Sequence, residues 1–174
     1  MKRRSAVLLA LLVAGCPTLF SQALEVMESS GYVETLLPSV GWRQAVVGRQ
    51  LPEGAVLAAW LDANARVDFQ GSTLAVGPLS RVLIRSLQTG QVQLSLTAGA
   101  VSVTSVNTAF EVEYRGSLIR VEKGAFDLAD GVLRPQSGTV TVSEPGSPVR
   151  TLGPGEYLDL LSRKTGPVFS DPSP

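Results

Sequence analysis

The sequence contains no histidine and, in 174 residues, a single cysteine, Cys16. Without histidine, the commonest general base near neutral pH and the commonest metal ligand are both missing. One cysteine cannot form an internal disulfide, so the fold has to be held by packing. Lysine is almost absent: after Lys2 only Lys123 and Lys164 remain, and nothing in the sequence couples Lys123 to a serine. No segment carries a sustained apolar stripe at helical spacing. The longest apolar run, Ala6 to Gly15, is too short for a comfortable membrane span. No Walker loop, dinucleotide glycine fingerprint, nucleophile elbow or EF-hand loop occurs. The chain therefore reads as non-catalytic, with no cofactor and no metal.

What is present begins with a basic start, Met1-Lys2-Arg3-Arg4, followed by the apolar run. Residues 1–23 read as a secretion signal with two possible ends. Val13-Ala14-Gly15-Cys16 has the form of a lipobox, in which Cys16 would become the lipidated first residue. Ser21-Gln22-Ala23 offers the general signal peptidase small residues at −3 and −1, with a start at Leu24. Either way the chain is expected outside the cytoplasm, periplasmic or lipid-anchored, and touching the membrane only through the signal or the lipid. Loss of the signal leaves 12 basic against 15 acidic residues. That balance gives no electrostatic footprint for nucleic acid.

From Gly31 onward, short apolar and polar alternations are separated by turn residues such as Thr89-Gly90, Arg115-Gly116, Asp130-Gly131 and Ser137-Gly138. Twelve strands are predicted between Tyr32 and Leu160, at roughly ten-residue spacing, among them Leu118–Val121 and Ala125–Leu128 with a corner at Lys123-Gly124 between them. The fold class is all-β, a layered β-roll or β-helix-like solenoid of many short strands. One domain is expected over 24–161, with a flexible Pro-rich tail over 162–174. Alternation places Val67, Phe69, Leu94, Leu96, Val101, Val103, Val140 and Val142 inside. A hairpin at Arg115-Gly116 would set Phe110 opposite Val121, Val112 opposite Ile119 and Glu111 opposite Arg120. The open alternative is a corner that continues in the same rotational sense, as in a solenoid.

Two close acidic pairs are the remaining chemical candidates. Glu111 and Glu113 alternate outward near Arg115 and Arg120 and read as a solvated face. Asp127 and Asp130 flank an Asp-Gly turn, with a weak cation site as the alternative. Among Tyr32, Trp42, Trp60 and Tyr157, alternation explains Trp42 least, so Trp42 with Tyr32 forms the candidate binding surface.

The order of segments resembles a FecR domain. The residues carrying the resemblance are Gly31-Tyr32-Val33-Glu34, Trp42, the Gly48 to Gly54 step, Ala65 to Phe69, and Ser72 to Ile84. They continue through Leu96 to Val103, Phe110-Glu111-Val112, Gly124-Ala125-Phe126-Asp127-Leu128, Gly138 to Val142 and Leu152 to Glu156. Ala125 stands where the family often has threonine. The pattern places Phe126 inside and implies an all-β fold and an extracytoplasmic location. It does not carry over sigma-factor regulation, because the family's cytoplasmic anti-sigma segment and transmembrane helix have no counterpart before Gly31. The expected function is a binding or sensing module that contacts another envelope protein. The alternative is a structural envelope protein that binds carbohydrate or peptidoglycan, with Trp42 and Tyr32 as stacking residues.

Overall fold

The computed structural model describes residues 22–167, so Cys16 and most of the expected signal lie outside the described residues. Sixteen strands and no helix occupy them. In chain order they are β1 (Leu24–Ser30), β2 (Val33–Leu37), β3 (Gly41–Gln44), β4 (Gln50–Leu51), β5 (Val56–Ala59), β6 (Asn64–Phe69), β7 (Ser72–Val76) and β8 (Ser80–Gln88). Then follow β9 (Gln91–Ala98), β10 (Val101–Ser105), β11 (Ala109–Tyr114), β12 (Ser117–Ala129), β13 (Val132–Ser143), β14 (Arg150–Leu152), β15 (Glu156–Asp159) and β16 (Lys164–Pro167). All belong to one sheet, ordered β3-β2-β5-β8-β9-β11-β12-β10-β7-β6-β1-β4. β13 lies along β12 and carries β14 and β15, and β16 joins through β15.

The all-β class holds, and the solenoid does not. A β-helix stacks successive rungs in parallel, whereas here 14 of the 15 strand pairings are antiparallel and only β9 with β11 is parallel. The sequence chemistry explains why the chain doubles back. Arg115-Gly116, Asp130-Gly131 and Gln70-Gly71 are two-residue connections in which both residues have positive φ. Such a pair matches the right-handed twist of two antiparallel strands. At Arg115-Gly116 the expected register is found: Phe110 faces Val121, Val112 faces Ile119 and Glu111 faces Arg120.

One face of the sheet closes on a single core. All eight positions expected inside are buried there, and Phe126 with them. Each large aliphatic side chain so buried contributes about 1.5–3 kcal/mol, which is how a chain without disulfides holds together.

β12 is the hinge of the architecture. Its Ser117–Val121 half pairs with β11, its Gly124–Leu128 half pairs with β10, and the register against β13 shifts between them. The corners expected at Lys123-Gly124 and Ser137-Gly138 are thus bulges within one long hairpin, which fuses the strands predicted at Leu118–Val121 and Ala125–Leu128. Gly124 and Gly138 are cross-strand partners with φ of 137° and 70°. A Cβ on Gly124 would lie 2.2 Å from the Ser137 carbonyl oxygen, and one on Gly138 would lie 2.1 Å from that of Lys123. Only two facing glycines let the backbones meet here.

Part of the tail expected from Ser162 is strand instead, since Lys164–Pro167 forms β16 against β15. The Asp159 carboxylate builds the turn by accepting the Ser162 hydroxyl at 2.6 Å and the Leu161 and Ser162 amides at 2.8 and 3.0 Å. These bonds, the Ser162 hydroxyl foremost, hold its carboxyl below the ordinary 3.8. Gly166 leaves room for the ring of Tyr157 across the pair, so Tyr157 covers the last strand. Residues 168–174 lie outside the described residues.

Candidate functional site

Register brings Glu34 of β2, Ala58 of β5 and Arg81 of β8 into one transverse row, on the side of the sheet facing away from the core. Alanine at the centre leaves a floor with a charged side chain on either flank. Trp42 on edge strand β3 closes one side, and Trp60 and Leu79, from the turns after β5 and before β8, close the other. The result is an open groove of about 530 Å³ lined by Glu34, Trp42, Ala58, Ala59, Trp60, Leu79, Ser80 and Arg81.

The two turns are fixed by backbone bonds that converge on Trp60. Its N–H donates to the Tyr32 carbonyl at 3.1 Å, and its own carbonyl accepts the Ala63 and Leu79 amides at 3.1 and 3.3 Å. Gly31, at φ +72°, lets the turn before Tyr32 press on the next one; a Cβ there would lie 2.9 Å from the Cα of Ala63. Leu79 has φ +53°, a conformation that costs a branched residue about 1–2 kcal/mol, yet its side chain is 60% exposed. Ser80 holds that bend by accepting the Ala100 amide on Oγ at 2.7 Å. Leu79 is thus an exposed residue held in the left-handed conformation by the hydrogen bonds of its own turn.

The rings are aimed by side chains. Glu34 Oε1 accepts the Tyr32 hydroxyl at 2.9 Å, and Oε2 accepts the Trp60 indole N–H at 3.0 Å. Tyr32 and Trp60 meet tilted, at 56° with centroids 6.1 Å apart. The Arg81 guanidinium lies 5.3 Å from the centre of the Trp42 ring, a cation–π contact. Among the described residues no carboxylate pairs with Arg81.

The Glu34 bond, and after it the Glu34 charge, raises the Tyr32 phenol above its ordinary 10.0. The neutral phenol is the favoured form in the folded protein. Its contribution is therefore complete below the unfolded value and is lost as pH rises through the raised one. In an ultraviolet titration, the phenolate component missing from Tyr32→Phe should appear above pH 10 and fall back toward 10.0 in Glu34→Gln. An unchanged midpoint in Glu34→Gln would show that this tether is not made in solution.

Of the expected surface aromatics, Trp42 lines the groove, and Tyr32 stands behind it, bonded to Glu34 and tilted against Trp60. Sequence reasoning named Trp60 without choosing it and missed Glu34, Leu79 and Arg81. The signal was the three-strand register, which needs the pairing of β5 with β2 and β8.

The acidic pairs lie elsewhere. Glu111 is only 8% exposed, so the solvated face expected for it is corrected. It bonds Arg120 at 2.7 Å and Gln93 at 2.9 Å, while Glu113 takes Arg85 at 2.6 Å and Ser95 at 3.1 Å. Glu122 and Glu111 together raise the Arg120 guanidinium above its ordinary value. These partners form a cross-strand ladder. Asp127 accepts from Gln136 at 2.7 Å, and Asp130 sits in the turn at φ 52°.

The fold and this face define an all-β domain that presents a tethered aromatic groove on one side of a single curled sheet. No family model matches the sequence, and no curated protein matches it. Among solved structures, two crystal structures of a putative anti-sigma factor from Parabacteroides distasonis ATCC 8503 are similar, each with a TM-score of 0.52 at 15% identity. The match covers 63% of this chain and 57% of that one. At this identity the likeness is one of fold.

Proposed function

We propose that the domain is a non-catalytic binding and sensing module of the FecR type. It is exported, and it acts through protein–protein contacts in the cell envelope made by the face around Tyr32, Trp42, Trp60 and Leu79. One observation carries this reading: large apolar side chains are left exposed, with Trp60 53% and Leu79 60% accessible, and the Trp60 ring is held in orientation by its indole bond to Glu34. Fixing such groups in advance removes the ordering cost that binding would otherwise incur. Tryptophan, tyrosine and arginine are also the residues that dominate protein contact surfaces. The FecR-like order of segments and the fold shared with an anti-sigma factor point to regulation or sensing.

The test is photo-crosslinking in cells, with the reactive side chain at Leu79 or Trp60 and a control at exposed Thr151 on β14. A discrete protein adduct in the envelope fraction is expected from the first two positions and not from Thr151. No protein adduct at either groove position would remove the reading.

A further inference from the structure

We infer that the groove is built for a protein segment that sets a large apolar side chain beside a carboxylate. The apolar group would seat on Ala58 between Trp60 and Trp42, and the carboxylate would bond Arg81. This inference rests on reading the face as a protein-contact surface and specifies the chemistry of what it contacts.

The argument comes from how the two charges flanking Ala58 are used. Both oxygens of Glu34 are engaged inward, one by the Tyr32 hydroxyl and one by the Trp60 indole. The negative charge is thus committed to orienting rings. Arg81 is in the opposite condition: its guanidinium rests against Trp42 and, among the described residues, pairs with no acid. Its planar fork of donors is held at the groove wall with no ionic partner. A carboxylate is the group that fork matches best, through charge-assisted and often paired hydrogen bonds. A basic segment would meet Arg81 with like charge, and Glu34 would offer it only the lone pairs left by the Tyr32 and Trp60 donors.

The apolar half follows from the floor and walls. Ala58 leaves depth where a larger residue would fill it, and Leu79 with Trp60 supplies an aliphatic and aromatic wall. About 530 Å³ is room for a large side chain together with the neighbouring acid. A sugar ring fits less well, because stacking needs an open aromatic face. One face of Trp42 carries Arg81, and Trp60 leans on Tyr32 at 56°.

The probe is a phage library of random dodecapeptides selected on the immobilised mature domain, run in parallel on wild type, Arg81→Gln, Arg81→Glu and Trp60→Ala. Wild type should enrich Asp or Glu next to Phe, Leu or Trp, and Arg81→Glu should switch the enriched charge to Lys or Arg. A peptide selected on wild type should lose about tenfold or more in affinity on Arg81→Gln, the scale of one charged hydrogen bond, and similarly on Trp60→Ala. Thermal melts identify any variant that has lost its fold; Arg81 is exposed, so its variants should melt like wild type. The inference is overturned if wild type and Arg81→Glu enrich the same sequences or if nothing is enriched. It is equally overturned if a glycan array binds the domain in a Trp60- and Arg81-dependent way. Crosslinks at Leu79 that persist alongside charge-blind selection would discard the acidic partner and keep the module. Absent crosslinks would discard the module itself.

Discussion

Replacing Phe126 by alanine is expected to cost about 3–5 kcal/mol, a large share of the roughly 5–15 kcal/mol that stabilises a domain of this size. Phe126 has no accessible surface, and it lies on the half of β12 that pairs with β10 and β13, opposite Val103 and Pro135. Truncation there leaves a cavity walled on both sides by paired strands, which cannot collapse freely. Glu113→Ala is the matched control on the other face. It breaks the Arg85 pair, whose side chains are 52% and 37% exposed, and such a pair is worth less than about 1 kcal/mol. Urea melts should separate the two variants clearly. Equal midpoints would mean that the inward and outward faces of the second half of the sheet have been assigned the wrong way round.

Gly124→Val should be comparably damaging, for a reason unrelated to burial of apolar surface. Its φ of 137° is a conformation essentially confined to glycine, costing about 1–3 kcal/mol for any other residue. The new Cβ would also meet the Ser137 carbonyl at 2.2 Å, and backbone cannot swing aside as a side chain can. Overpacking adds about 1–3 kcal/mol. Gly90→Ala isolates the conformational part, since φ there is 80° and nothing lies within 4 Å of the added atom. It should cost about 1–2 kcal/mol. If Gly124→Val melts no lower than Gly90→Ala, β12 and β13 do not approach as closely as described.

Local chemistry was legible in the sequence and long-range chemistry was not. Alternation gave the buried faces of β6, β9, β10 and β13, and Arg115-Gly116 gave a complete hairpin register, because both signals are contained within about a dozen residues. The bulge at Gly124 and Gly138 was misread as two corners. A glycine in a strand and a glycine in a turn look alike until the partner strand is known. β1 and β16 went unseen because they lie outside the stretch read as alternating, beside the expected signal and in the expected tail, and β3, β4 and β14 because strands of two to four residues carry little alternation. The groove was half legible: Trp42 and Tyr32 stood out as aromatics, whereas Glu34 and Arg81 acquire meaning only from the register that sets them on either side of Ala58.

The division of β12 between two sets of partners also bears on when the molecule can fold. On one side of β12 the sheet contains β2, β3, β5, β8, β9 and β11, and on the other β1, β4, β6, β7 and β10. The chain crosses between these groups repeatedly, so any contiguous fragment that holds one group entire also holds strands of the other, and only β12 pairs with both. Contacts between segments so distant in sequence make folding slow, in the millisecond to second range typical of such topologies. A chain emerging N-terminus first therefore cannot complete the sheet until Ser117–Ala129 is available to pair with both groups.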